Sequence, residues 1–388
     1  MKTPSSKFLQ SCTRPLGLAF FLGVLWAFPL AAPTVAKEAV ESGSLQLTPL
    51  RTLKNDFIIN RLAWHPDNKT LAVGQNLNKK IAIWSIETGQ VIRVLDKEAG
   101  GVGALAYSPD GKYLAVGRNF TAHVKYHVNL YDARGGELVR SFVPPRATKD
   151  TTNNDIHALA FSPDSLRLAT HGYGGGAVGV VYDLSHGNVV ATLQPSTRVT
   201  DAIESLSWSP NGHWVAVGRV SGRLELWNAD SWKLEKQRDI NRQAIYGLAF
   251  SPDSRRLALG SYKRTAEQTA EAEKEYSRLP ENFRRSHPAP TAAPHDLFLL
   301  DADSLTITRS FSSNHTGSAI RELTFTPDGK FLVSGANAKS VAVHEVSSGT
   351  ETVFLKDFKL LAHPALGRDG KYLAVGAGEE IRLYEFTR

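Results

Sequence analysis

Downstream of residue 56, apolar and polar positions alternate with a period of two in short runs, the spacing of a strand with one buried face. Leu105 and Tyr107, then Leu114 and Val116, follow it, and Pro109-Asp110-Gly111 between them supplies a tight turn. Six segments repeat the arrangement: RLAWHPDNKTLAVG from Arg61, ALAYSPDGKYLAVG from Ala104, ALAFSPDSLRLATH from Ala158, SLSWSPNGHWVAVG from Ser205, GLAFSPDSRRLALG from Gly247 and ELTFTPDGKFLVSG from Glu322. A seventh, PALGRDGKYLAVG from Pro364, carries Arg368 where the others have Pro. The equivalent positions 66, 109, 163, 210, 252, 327 and 368 are 43, 54, 47, 42, 75 and 41 residues apart, so the basic unit is about 42 residues. Four strands and their turns fill such a unit. The third strand of each ends in an aromatic residue or its substitute, as in IAIWSI at 81–86, LELWNA at 224–229 and VAVHEV at 341–346.

A sheet of this kind cannot cover both of its faces alone, but seven packed radially cover one another. The pattern therefore predicts an all-β chain, a seven-bladed β-propeller of four-stranded antiparallel blades. SPDG-x-x-LAVG followed by I-x-L-W or L-x-L-Y resembles the WD-repeat β-propeller family over residues 45–388. That family's closing Trp-Asp pair stands here as Trp84-Ser85, Tyr131-Asp132, Tyr182-Asp183, Trp227-Asn228, Leu300-Asp301, His344-Glu345 and Tyr384-Glu385, and the Gly-His dipeptide it carries near each blade's first strand is missing. The resemblance thus implies that the family's buried hydrogen-bond tetrad is absent or substituted, and that His344 is a packed, paired histidine.

The seventh unit lacks a fourth strand, and LQLTPLRTL at 45–53 precedes the first complete unit without a sheet of its own. Pairing the two closes the ring and removes two exposed edges. Pro49 cannot donate a ladder bond, which only an outermost strand tolerates.

Antiparallel blades send alternate connections to opposite faces. First-to-second and third-to-fourth turns are short throughout. The opposite face collects RNFTAHVKYH at 118–127, VPPRATKDTTNND at 143–155, HGYGGGA at 171–177, QPSTRVTDA at 194–202 and the excursion at 261–295. Long loops on a rigid scaffold are where binding concentrates. Within the excursion, TAEQTAEAEKEYSRL at 265–279 predicts a helix with Thr269, Ala272, Tyr276 and Leu279 on one side, followed by a Pro-rich charged stretch.

The start of the chain adds a separate expectation. Lys2, Lys7 and Arg14 precede an apolar run from Leu16 to Leu30, and Thr34-Val35-Ala36 resembles a cleavage site. Residues 1–36 read as a signal peptide, or as an uncleaved anchor since no charge occurs from Pro15 to Ala36, with 37–44 a short leader. Either reading places the body outside the cytoplasm, in a periplasm or secreted, with membrane contact only if the apolar segment is retained. Cys12, within residues 1–36 but ahead of the apolar run, is the only cysteine, so the body forms no disulfide and has no cysteine nucleophile. Beyond residue 36 there are 42 basic and 38 acidic residues, an excess too small to mark a nucleic-acid binder, and no nucleic acid is expected.

Chemical motifs are scarce. HExxH, GxxxxGK[ST], CxxCH and G-x-S-x-G are all missing, no cofactor is expected, and no catalytic residue is assigned. His123 and His127 flank one loop and with His171 form the candidate metal ligands, against the plainer reading of exposed or hydrogen-bonded imidazoles. On the long insertion, Tyr276 and Leu279 are the candidate apolar partner contacts, and Arg284 and Arg285 the candidate steering charges. The resemblance implies a noncatalytic interaction scaffold binding a protein through the loop-rich face. The alternative is an exported propeller enzyme, or a cofactor- or small-ligand-binding protein, that uses the central channel.

Overall fold

The computed structural model describes residues 45–75, 80–95, 101–119, 128–143, 155–173, 179–194, 201–240, 243–262, 266–279, 281, 295–315, 318–337 and 339–387. They form seven four-stranded antiparallel sheets. Blade 1 runs outward from the axis through Ile59–Trp64, Thr70–Gln75, Ile81–Ser85 and Gln90–Leu95. The innermost strands of blades 2 to 7 are Gly101–Tyr107, Asp155–Phe161, Ile203–Trp208, Gly247–Phe250, Ile320–Phe325 and Ala362–Leu366. Second strands are the most deeply buried, with Leu71, Ala72 and Val73 or Leu373, Ala374 and Val375 fully covered by neighbouring blades.

The ring closes as its sequence implies. Gln46–Lys54 is the outermost strand of blade 7 and pairs with Glu380–Thr387 from Gln46 opposite Thr387 to Lys54 opposite Glu380. Pro49 is accommodated by a register shift between Pro49 and Arg51 that leaves Leu50 unpaired and exposed.

The short turns hold themselves and one another. In blade 2, the Ser108 hydroxyl donates to Asp110 Oδ1 at 2.6 Å and accepts from the Tyr113 amide at 2.9 Å, while Gly111 takes φ +73°. Blades 1, 3 and 5 place Asn68, Ser165 and Ser254 at that left-handed position instead, with φ 58°, 61° and 61°. Each side chain accepts from the main chain of the preceding blade's turn: Asn68 from Arg368 at 2.7 Å, Ser165 from Asp110 at 3.0 Å, Ser254 from Asn211 at 3.0 Å. A hydrogen bond worth about 1 kcal/mol offsets the backbone strain that glycine would avoid.

Arginines tie the blade perimeters together. Arg51 reaches the carbonyls of Ile86 and Glu87, Arg93 that of Arg134, Arg140 those of His186 and Ser185, Arg238 that of Leu305, and Arg309 those of Ser348 and Ser347. Each donor sits on an outermost strand, and each acceptor lies at the third-to-fourth turn of the next blade. Between blades 3 and 4 the outer-strand position is Ala191, and Arg167 of the second strand substitutes, donating to Ala229 and stacking over Trp232 at 5.6 Å. Blade 7 takes its fourth strand from the N-terminal side, so it offers no such turn to blade 6.

Candidate functional site

The face that receives the connections into the innermost strands is built by a repeated irregularity. In blades 1, 2, 3, 4 and 6 the ladder shifts after the first or second residue of the inner strand, between Ile59 and Arg61, Val102 and Ala104, Ile156 and Ala158, Ile203 and Ser205, and Ile320 and Glu322. The residue left over is Asn60, Gly103, His157, Glu204 or Arg321. A bulge re-aims its side chain out of the strand alternation. For Glu204 and Arg321 it aims toward the axis, because their contact skips a blade: Arg321 of blade 6 pairs with Glu204 of blade 4 at 3.5 Å, and beside them Arg61 of blade 1 stands 3.9 Å from Glu322 of blade 6.

Around this mouth, His363 Nδ1 of blade 7 lies 3.0 Å from Glu322 Oε1, and the Arg321 guanidinium covers the ring of Tyr246 in blade 5 at 4.5 Å. Arg61 Nη1 donates to the Asn60 carbonyl at 2.7 Å, and Asn60 Nδ2 bridges to the Val102 carbonyl of blade 2. Electrostatics link the groups. Burial, and then His171, Arg61 and Arg321, push the His157 pKa down to about 3, so its imidazole is neutral. Burial raises the Glu322 pKa, but the His363 hydrogen bond and the positive charges nearby outweigh it, and the carboxylate stays below its ordinary range. Burial, opposed by Glu322 and reinforced by Arg321, lowers the Arg61 pKa.

Two further polar clusters lie inside blades. In blade 4 the buried Arg219 and Glu225 form a bidentate pair at 2.6 and 2.7 Å, with Trp227 Nε1 donating to Glu225 at 3.0 Å. In blade 6 a chain runs from Ser340 through His315 at 2.7 Å and Ser334 at 3.1 Å to His344 at 3.1 Å, all buried. Burial lowers the His315 pKa to about 4 and, with His315 beside it, the His344 pKa to about 3. His344 is thus packed and paired, and blade 6 carries a substituted tetrad.

Comparison with known proteins fits these repeats. The WD domain, G-beta repeat model matches residues 89–124, 187–228 and 306–344, and the anaphase-promoting complex subunit 4 WD40 domain model matches 44–102. The chain is a WD-repeat β-propeller. Protein hir-1 of Neurospora crassa is 24% identical over 251 residues, 58% of this chain and 22% of that protein. WD repeat-containing protein VIP3 of Arabidopsis thaliana is 21% identical over 223 residues, 54% of this chain and 65% of VIP3. The propeller thus matches about a fifth of hir-1 and just under two thirds of VIP3. A chain of a crystal structure of the mitotic checkpoint complex superposes with TM-score 0.68 at 20% identity, covering 94% of this chain and 98% of that one, which establishes the fold.

These relatives correct one expectation. The extracytoplasmic setting inferred from the apolar run is overturned, because hir-1, HIR1 of Gibberella zeae and VIP3 are nuclear or cytoplasmic eukaryotic proteins. A fifteen-residue apolar run measures hydropathy and not destination, and residues 1–44 lie outside those described. Among the described residues no helix is long and apolar enough to cross a membrane.

The site residues chosen from sequence scatter. His171 is a buried second-strand residue opposite Ala158, with burial lowering its pKa to about 4. His123 and His127 lie outside the described residues, and no group of three His, Cys, Asp or Glu among those described is arranged to hold a metal. Helix Ala266–Ser277 forms with Thr269 buried and Tyr276 and Leu279 half-buried, so the stripe is the covered side. Arg284 and Arg285 lie outside the described residues. Arg118, read as a loop cation, is fully buried in Tyr113–Asn119 with Nη2 3.3 Å from the Tyr131 hydroxyl. The residues left over by the bulges went unnoticed because they precede the repeated motif by one position. Self-alignment of the units exposes them as one variable column, Asn60, Gly103, His157, Glu204, Tyr246, Arg321 and Ala362, beside constant ones.

Proposed function

We propose that this WD-repeat propeller is a noncatalytic protein-interaction scaffold that holds a polypeptide partner on the loop-bearing face, centred on the channel mouth. The observation that carries this reading is the inner-strand bulge: in blades 1, 3, 4 and 6 the residue left out of the ladder is polar or charged, and two of these residues, Glu204 and Arg321, meet across the axis. The WD-repeat relatives support a protein-interaction role.

The 261–295 insertion, through its helix Ala266–Ser277 in the second-to-third connection of blade 5, supplies the rim of that face. Tyr276 and Leu279 hold its helix down and offer their remaining surface, and Arg284-Arg285 steer an acidic partner toward it. Replacing 263–293 with a short Gly/Ser connection keeps the β-rich circular dichroism and the melting temperature, because seven blades remain and a shorter loop costs less closure entropy. The same change reduces capture of the partner from an extract of the native host. Unchanged capture removes the insertion from the interface, and global unfolding makes it structural.

A further inference from the structure

We propose that the cavity between blades 5 and 6, on the face of short turns, takes an aromatic side chain, an indole by preference, from a polypeptide partner, with the ring over the guanidinium of Arg256. This site lies away from the channel mouth and does not depend on it.

The cavity measures about 550 Å³ and opens between the Ser251-Pro252-Asp253 turn of blade 5 and the turn of blade 6 that holds Pro327 and Lys330, with Arg256 and Val346 also lining it. Pockets of this size hold side chains and small ligands. The molecule contains a filled copy of it between blades 3 and 4. Arg256 opens the second strand of blade 5 as Arg167 opens that of blade 3, each after the sequence Ser-Pro-Asp-Ser. In both turns the arginine amide donates to the first serine hydroxyl at 2.9 Å, and the second serine takes φ 61°. Blades 4 and 6 face them with equivalent third-to-fourth turns, where Trp232 and Gly349 hold one position. The Trp232 amide donates to the Asn228 carbonyl at 2.9 Å and the Gly349 amide to that of Glu345 at 2.7 Å, with φ 56° and 77°.

The difference is the ring. Trp232 sends its indole into the crevice, 5.6 Å from the Arg167 guanidinium and edge-on to Trp208 at 5.8 Å. Gly349 sends nothing, and the crevice is open. The blades have not moved apart to open it: a Cβ on Gly212 would stand 3.5 Å from Pro163, and one on Gly329 3.7 Å from Pro252. Arg256 is accordingly exposed where Arg167 is half-buried, and among the described residues its guanidinium has no hydrogen-bond or ion-pair partner. In blades 2, 4, 6 and 7 the position of Arg256 is held by Tyr113, Trp214, Phe331 and Tyr372, each packed against the following blade, so a ring is what this crevice ordinarily contains.

The lining selects an uncharged ring over a charged group. An incoming carboxylate meets Asp253, Asp328 and Glu345, and an incoming cation meets Arg256 and Lys330. The negative face of an aromatic ring complements the guanidinium, indole most strongly, while Pro252, Pro327 and Val346 supply apolar wall. Aromatic anchors seated in pockets are the side chains that dominate protein interfaces.

The test is fluorine NMR of a short Gly/Ser peptide carrying one fluorotryptophan, titrated with the full chain, with unlabelled tryptophan, leucine and glutamate peptides as competitors. The tryptophan peptide competes on the order of tenfold better than the leucine peptide, and the glutamate peptide is weakest. Arg256→Gln weakens the fluorotryptophan peptide about fivefold with an unchanged melting temperature, because the side chain is exposed. A second variant, Arg309→Ala with Gly349→Trp, rebuilds the filled crevice of blades 3 and 4, where Ala191 and Trp232 stand at these positions; it removes the Arg309 stem that lies 2.9 Å from a Cβ on Gly349. Binding is lost in it.

Equal competition by the tryptophan and leucine peptides, or full affinity in Arg256→Gln, would overturn the proposal, as would full affinity in a folded double variant. If the double variant does not fold, Arg256→Gln decides alone. Failure here leaves the scaffold reading standing, because the channel mouth is on the opposite face.

Discussion

His344 stands where other blades place Trp84, Trp227 or Tyr384, and a buried imidazole there has a consequence that indole lacks. Its pKa falls to about 3 and that of His315 to about 4, chiefly through burial, against about 6.5 in an unfolded chain. Between about pH 6.5 and 4 the unfolded state binds protons that the folded state refuses, so stability falls with pH across that window and the loss is complete below the folded values. For His315 alone the difference is on the order of 3 kcal/mol. His344→Phe should cost about 1 kcal/mol at neutral pH, since it deletes the bond to Ser334 while His315 still serves that hydroxyl. The variant should then lose less stability than the parent on acidification. Urea unfolding at neutral pH and near pH 4.5 checks this, and parallel losses in the two proteins contradict it.

At the scale of elements, the strands and short turns were legible because period-two alternation and the Pro-Asp-Gly signal are local. Closure by residues 45–53 was legible too, since a missing strand and a spare one had to meet. The arginine ties were not, because a charge on an outer strand looks like an ordinary solvated residue until the next blade's carbonyls are placed beside it. Arg309 donates both terminal nitrogens at 2.6 Å to Ser347 and Ser348. Arg309→Met keeps the stem and deletes the fork, and should destabilise the fold by about 1 kcal/mol, because solvent can rehydrate exposed carbonyls. Thermal unfolding measures it. A variant as stable as the parent would make the ties an incidental contact.

For the molecule as a whole, the repeat fixes a ring and leaves its function to the position that does not repeat. Asn60, His157, Glu204 and Arg321 share no residue type, so periodicity passes over them, and only the bulges mark them as equivalent positions of the ring. The histidines and insertion residues chosen from sequence were conspicuous by type or by loop length, and neither property says which side chains meet across an axis. A polypeptide partner seated at this mouth lies within reach of position 157. A photoreactive phenylalanine analogue placed at His157, or at the exposed Lys112 in a turn on the opposite face, tests it directly in an extract of the native host. A discrete protein adduct is expected from position 157 and none from position 112, and an adduct from position 112 alone would rule out a partner at the mouth.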